Sequence, residues 1–219
     1  MIASELISHS LAPLKTSDTG EEVLTIMNIY HVKHLPIVNF EMLLGTISED
    51  EVMGNDIEAA IGTYGLGLNK AFVRGSDHLF EVMSKLAEYN LTVIPVVDEE
   101  DHYIGMITQE DILQFYANSF SFSEPGGIIV LEMNRRDYSL SEIARIVEAE
   151  NSSVLSAFLT TNPDSTKVYV TIKVNQQEIQ HLIATFERYD YTIKASFTEE
   201  TYLEDLKDRY DALMSYLNV

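Results

Sequence analysis

Apolar and polar positions in the first 120 residues follow one pattern twice. "LKTSDTGEEVLTIMNIYHVKHLPIV" from Leu14 aligns without a gap, at an offset of 59, with "VRGSDHLFEVMSKLAEYNLTVIPVV" from Val73. Lys15 meets Arg74, Val23 meets Val82, Tyr30 meets Tyr89 and Pro36 meets Pro95. One extra residue in the acidic turn "DEEDHY" moves the offset to 60, and "GTISEDEVM" from Gly45 falls on "GMITQEDIL" from Gly105. A sustained internal period marks a duplicated structural unit.

Each copy predicts the same elements. A short strand runs into Ser17-Asp18 or Ser76-Asp77, whose small polar side chains suit a helix N-cap. The helix carries its apolar stripe on Val23, Ile26, Met27 and Tyr30, or on Leu79, Val82, Met83 and Leu86. A β-rich run follows ("HLPIV" or "VIPVV"), then a turn and a second strand, "LLGTI" or "YIGMI". A closing helix starts at Ser48 or Thr108, with Glu51 or Asp111 three residues on, the spacing of a capping box.

The pattern changes after a Ser-, Pro- and Gly-rich stretch, "NSFSFSEPGG". Strands are predicted at "IIVLEM", "SVLSAFLTT", "KVYVTIKV" and "YTIKASF", with helices at "SLSEIARIVEAEN" and "NQQEIQHLIATFERYD". The order β-α-β-β-α-β is ferredoxin-like. A last helix is predicted over 199–219, with Leu203, Leu206, Tyr210, Leu213, Met214 and Leu217 on one face. The fold class is therefore α+β: two β-α-β-β-α repeats and a ferredoxin-like domain with a C-terminal helix. The boundaries read as repeats at about 1–60 and 61–120, a linker at 121–127, a domain at 128–198 and a C-terminal helix at 199–219.

Charge narrows the partners. The chain carries a formal charge of −21, with 14 Lys and Arg against 35 Asp and Glu. Such a surface repels nucleic acid and anionic membranes. Few bases lie in the first 120 residues (Lys15, Lys33, Lys70, Arg74 and Lys85), so a polyphosphate there meets few counter-charges. No cysteine is present, which removes disulfides and thiolate chemistry and fits a cytoplasmic location. No apolar run reaches membrane-spanning length, and "MIASELISHS" lacks the basic and apolar blocks of a signal peptide.

No catalytic constellation stands out. The six histidines form no i, i+4 pair suited to a metal. "GTYGLGLNK" is not a phosphate-binding loop and reads as a flexible connector between the repeats. The acids at 98–101 suit a hard cation such as magnesium or calcium as well as a solvated turn.

The repeated β-α-β-β-α unit, the Leu-Pro or Ile-Pro strand and the "G-h-h-T/S-x-x-D-h" phrase resemble a tandem pair of CBS domains, the Bateman module, over roughly residues 1–120. The resemblance implies clefts between the repeats that bind adenosine-containing ligands. It implies that Thr108 and Asp111 hold a ribose, while Lys33 and His34 stand where relatives contact phosphate. A weaker second cleft would use Ser48, Glu51, Thr92 and Val93, where a longer acid replaces the family aspartate. AMP or another adenosyl compound suits the charge better than ADP or ATP, unless magnesium accompanies them. The following domain resembles an ACT domain, and the layout is similar to bacterial acetoin-utilisation regulatory proteins. "RDYSLSEI" lacks the Pro-Gly of amino-acid-binding ACT loops, which favours an assembly role. The implied protein is a non-catalytic regulator, a homodimer or the partner of another protein. Divalent-cation sensing and a purely structural interaction module are the alternatives.

Overall fold

The computed structural model describes residues 1–8, 10–65, 67–119, 121–161, 166–198, 214 and 216. The chain divides into two compact units, Met1–Tyr116 and Ala117–Val219. Of the predicted tail face only Met214 is among the described residues; it is helical and exposed, as is Tyr216.

In the first unit, α1 (Gly20–Ile29), β1 (His34–Asn39), β2 (Met42–Ser48) and α2 (Glu49–Met53) form the first repeat. The second contains β3 (Val73–Arg74), α3 (Leu79–Glu88), β4 (Val93–Val97) and β5 (Tyr103–Thr108), and α4 (Gln109–Ser119) follows. β1 and β2 pair antiparallel, and β3-β4-β5 form a mixed sheet in which β3 runs parallel to β4. The counterpart of β3 in the first repeat is reduced to a single bridge between Leu14 and Ile37.

The Ser-Asp pairs do not cap the helices that follow them. Asp18 and Asp77 accept the backbone N–H of Lys15 and Arg74, each at 2.8 Å, and so close the preceding turn. The caps fall one residue later, at Thr19 and His78. Both helices end on a non-glycine residue with positive φ, His31 at 53° and Asn90 at 51°. The N–H groups of Val32 and Leu91 then reach back to the carbonyls of Met27 and Leu86 at 3.0 and 2.9 Å. This is a Schellman ending, with buried Val32 and Leu91 as its apolar plugs.

Gly45 and Gly105 sit at matching β-bulges. A Cβ on Gly45 would lie 2.5 Å from Leu68 Cβ, and one on Gly105 would lie 2.4 Å from Ile7 Cγ2. Leu68 precedes the second repeat yet packs on the first, and Ile7 precedes the first yet packs on the second. Each lead-in segment crosses to the other repeat. Asn69 O accepts the Thr46 N–H, and Met106 O accepts the Ser8 N–H, both at 2.8 Å. The "GTYGLGLNK" stretch is therefore partly docked rather than a free connector: Tyr64 and Leu68 pack against the first core cluster.

Two apolar clusters fill this unit. The first includes Leu35, Ile47 and Val52 together with Val93 and Met106 of the second repeat. The second includes Val82, Ile94 and Ile107 together with Ala3 and Leu6 of the N-terminal segment. Sharing core residues in this way ties the repeats together, since each buried aliphatic side chain is worth roughly 1.5–3 kcal/mol of transfer free energy.

The second unit contains β6 (Gly127–Asn134), α5 (Leu140–Ala149), β7 (Val154–Thr161), β8 (Lys167–Val174), α6 (Gln180–Arg188) and β9 (Thr192–Phe197). The sheet order is β7-β8-β6-β9, all antiparallel, as the ferredoxin-like reading requires. Ile129, Leu131, Val170 and Ile172 meet Ile143, Val147, Leu182 and Phe186 in one core. Buried Lys173 donates to the carbonyls of Ser121 and Phe122 at 2.6 and 2.9 Å, which pins that stretch to its own unit.

Candidate ligand-binding cleft

Thr108 closes β5 and caps α4. Its N–H and Oγ1–H both donate to Asp111 Oδ2, at 2.8 and 2.6 Å, and Asp111 N–H returns to Thr108 Oγ1 at 3.0 Å. Asp111 Oδ1 has no partner among the described residues. Both side chains line a cavity of about 220 Å³. Its opposite wall is the end of α1 and the turn after it: Tyr30, His31 and Val32. Ser8, Ser10 and Leu11 supply another side, and Thr92 completes it beside Gln109, Glu110 and Gln114.

Lys33 and His34 do not line the cavity. Their backbone and ring turn to the equivalent position of the other repeat. Lys33 N–H donates to Thr92 Oγ1 at 2.9 Å, and His34 Nδ1 accepts the Thr92 N–H at 3.2 Å. Nδ1 is thus an acceptor, so the neutral ring carries its proton on Nε2. Burial holds the His34 pKa below the ordinary value, against the opposing pull of Glu51 and Asp50. Thr92, expected in the other cleft, lines this one instead. What carries His31 into the wall is the positive φ at the end of α1, and no glycine marked that turn in the sequence.

The Ser48 cap repeats the geometry. Ser48 N–H and Oγ–H donate to Glu51 Oε2 at 2.7 and 2.8 Å, and Glu51 N–H returns to Ser48 Oγ at 3.2 Å. The extra methylene of Glu51 is absorbed without loss of the cap. The surroundings differ. The strand residue opposite Ser48 is half-buried His34, whereas Thr108 faces fully buried Val93. Val93 is therefore a core residue, not a cleft contact.

In the acidic turn, Asp98, Glu100 and His102 bring one ligand atom each within 4.8 Å of one another. Asp98 is already engaged. Its carboxylate accepts the N–H groups of His102 and Glu100 at 2.8 and 2.9 Å, and these bonds hold its pKa down. The turn uses the Asp98 carboxylate whether or not a cation binds.

Residues 3–58 and 69–118 match the family model of the CBS domain. This part of the chain is a tandem pair of CBS domains. The chain aligns with a homoserine O-acetyltransferase of Methanococcus vannielii at 26% identity over 117 residues. That match covers 51% of this chain and 24% of the relative, so the chain spans about a quarter of the length of that protein. A CBS domain pair/ACT domain protein from Thermotoga maritima is similar in structure, with TM-score 0.47 and 20% identity over 52% of this chain and 94% of that one. CBSX2, crystallised with AMP, gives TM-score 0.45 and 20% identity over 52% of this chain and 93% of its own. Among the described residues no helix is long and apolar enough to cross a membrane.

Proposed function

We propose that this chain is a non-catalytic, cytoplasmic regulatory protein whose CBS pair binds an adenosine-type ligand in the cleft of Thr108 and Asp111. The observation that carries the reading is the divided use of the Asp111 carboxylate. Oδ2 is held by the Thr108 cap, which fixes the group. Oδ1 is left to accept hydrogen bonds from a ligand in the cavity, as a vicinal diol would offer. Leu11, Val32 and Tyr30 give the purine apolar and aromatic surface. Binding would shift the population of arrangements open to the repeats. The second unit, read as ACT-like over 128–198, would serve assembly, as a homodimer or with a protein partner. Cation sensing at the acidic turn has weaker support, because the turn itself accounts for the Asp98 bonds.

Titration calorimetry with adenosine and 2′,3′-dideoxyadenosine tests the reading. Adenosine should bind the wild type, and both Asp111→Asn and removal of the diol should weaken binding by roughly tenfold or more, the worth of about 1.4 kcal/mol. Equal binding by the two nucleosides would remove the diol from the account.

A further inference from the structure

We infer that the Asp111 cleft selects nucleosides that carry no phosphate, whether neutral or cationic, and discriminates against AMP and ATP. The inference rests on the adenosine reading above and narrows it to a ligand class.

The charges come first. Among the described residues the cavity lining holds Glu110 and Asp111 but no lysine or arginine, and His31 is the one imidazole. The basic pair expected to meet a phosphate is not in the lining: His34 Nδ1 sits on the Thr92 amide, and exposed Lys33 lies outside it. A phosphate would thus enter beside two carboxylates with no lysine or arginine among the described lining residues, and like charges close together in a partly desolvated site are strongly unfavourable.

The start of α4 offers little relief. A helix N-terminus can bind an anion through its free N–H groups. Here Gln109 N–H is taken by Thr92 O at 3.0 Å, and Asp111 N–H by Thr108 Oγ1 at 3.0 Å. Two of the N–H groups that a phosphate would use at this helix start are thus already engaged. The carboxylates that remain are acceptors, Asp111 Oδ1 and Glu110, to which Gln114 Nε2 donates at 3.2 Å, while the hydroxyl donors of Ser8, Ser10 and Tyr30 in the lining are neutral. Acceptors suit hydroxyls, an amino group or a cationic centre. The cavity, about 220 Å³, also falls below the roughly 300–1,000 Å³ of common ligand pockets, which favours a compact ligand.

The test is calorimetric titration of the full chain with adenosine, S-adenosylmethionine, AMP and ATP, without magnesium and at low salt, where charge effects are least screened. Adenosine, or adenosine and the sulfonium compound, should bind at least roughly tenfold more tightly than AMP, with ATP weaker again. Glu110→Lys, confirmed folded by its melting curve, should narrow the adenosine-to-AMP ratio by roughly tenfold, and Glu110→Gln should narrow it less. AMP or ATP binding as tightly as adenosine, and lost in Asp111→Asn, would overturn the selectivity and leave the adenosine site standing. No binding by any of the four probes would overturn both.

Discussion

Ser48 and Thr108 make the same three hydrogen bonds to an acid three residues on, and the two helices they cap then diverge. α2 spans five residues and ends at Gly54, whereas α4 spans eleven. Beside Ser48 stands a neutral, half-buried imidazole that is tied to the other repeat. Beside Thr108 lies an apolar strand, and across from it the cavity wall of Tyr30, His31 and Val32. Under the proposed function the comparison separates two jobs. Capping needs only a hydroxyl and an acid of either length. Ligand binding needs the wall, and the wall comes from the partner repeat. Duplication copies the cap faithfully and leaves the wall free to change.

The largest effects should be the ones the repeats share. Ile47 and Ile107 are equivalent and fully buried. Ile47→Ala and Ile107→Ala should each cost about 2–5 kcal/mol in denaturant unfolding. A large inequality between them would mean that the two cores are not alike. Next come the bulge glycines. Gly45→Ala and Gly105→Ala should each cost about 1–3 kcal/mol through overpacking. Gly45 should be the more sensitive, because its added Cβ meets Leu68 Cβ and the Asn69 carbonyl, whereas Gly105 meets the side chain of Ile7, which can shift. The reverse order would mean that the crossing segments yield differently from this account. Smaller still are the caps. Ser48→Ala and Thr108→Ala should each lower stability by about 1 kcal/mol in thermal unfolding, and Glu51→Asp should leave the melting temperature near wild type.

How far the sequence carried varies with the kind of signal. Strand β8 was legible residue for residue, because Val168, Val170, Ile172 and Val174 alternate on a half-buried strand. The second caps were legible because hydroxyl-to-acid spacing is local chemistry. The wall of the cleft was not. It depends on His31 taking positive φ without glycine, and on Thr92 entering the lining while Lys33 and His34 stay out of it. Strand alternation alone does not decide that last point, since positions 33 and 92 meet each other across the repeats. The crossing of Ile7 and Leu68 was hidden for the same reason: it is a long-range pairing whose local trace is a glycine in each phrase.

His34 supplies a finer distinction between the repeats. Its native pKa is depressed, so the unfolded chain takes up the proton more readily than the folded one. The stabilising contribution is therefore complete above the ordinary histidine range near pH 6.5 and is lost as pH falls below it toward the native value. Wild-type stability should drop on acidification through that window, and His34→Val, which copies Val93, should lessen the drop. An unchanged pH profile in His34→Val would assign the acid sensitivity to other groups.

The most direct test of a single working cleft is adenosine titration of three proteins: wild type, Asp111→Asn and Glu51→Gln. One site per chain in the wild type, lost in Asp111→Asn and retained in Glu51→Gln, is the expected result. Two sites per chain, or a site lost in Glu51→Gln and kept in Asp111→Asn, would contradict it.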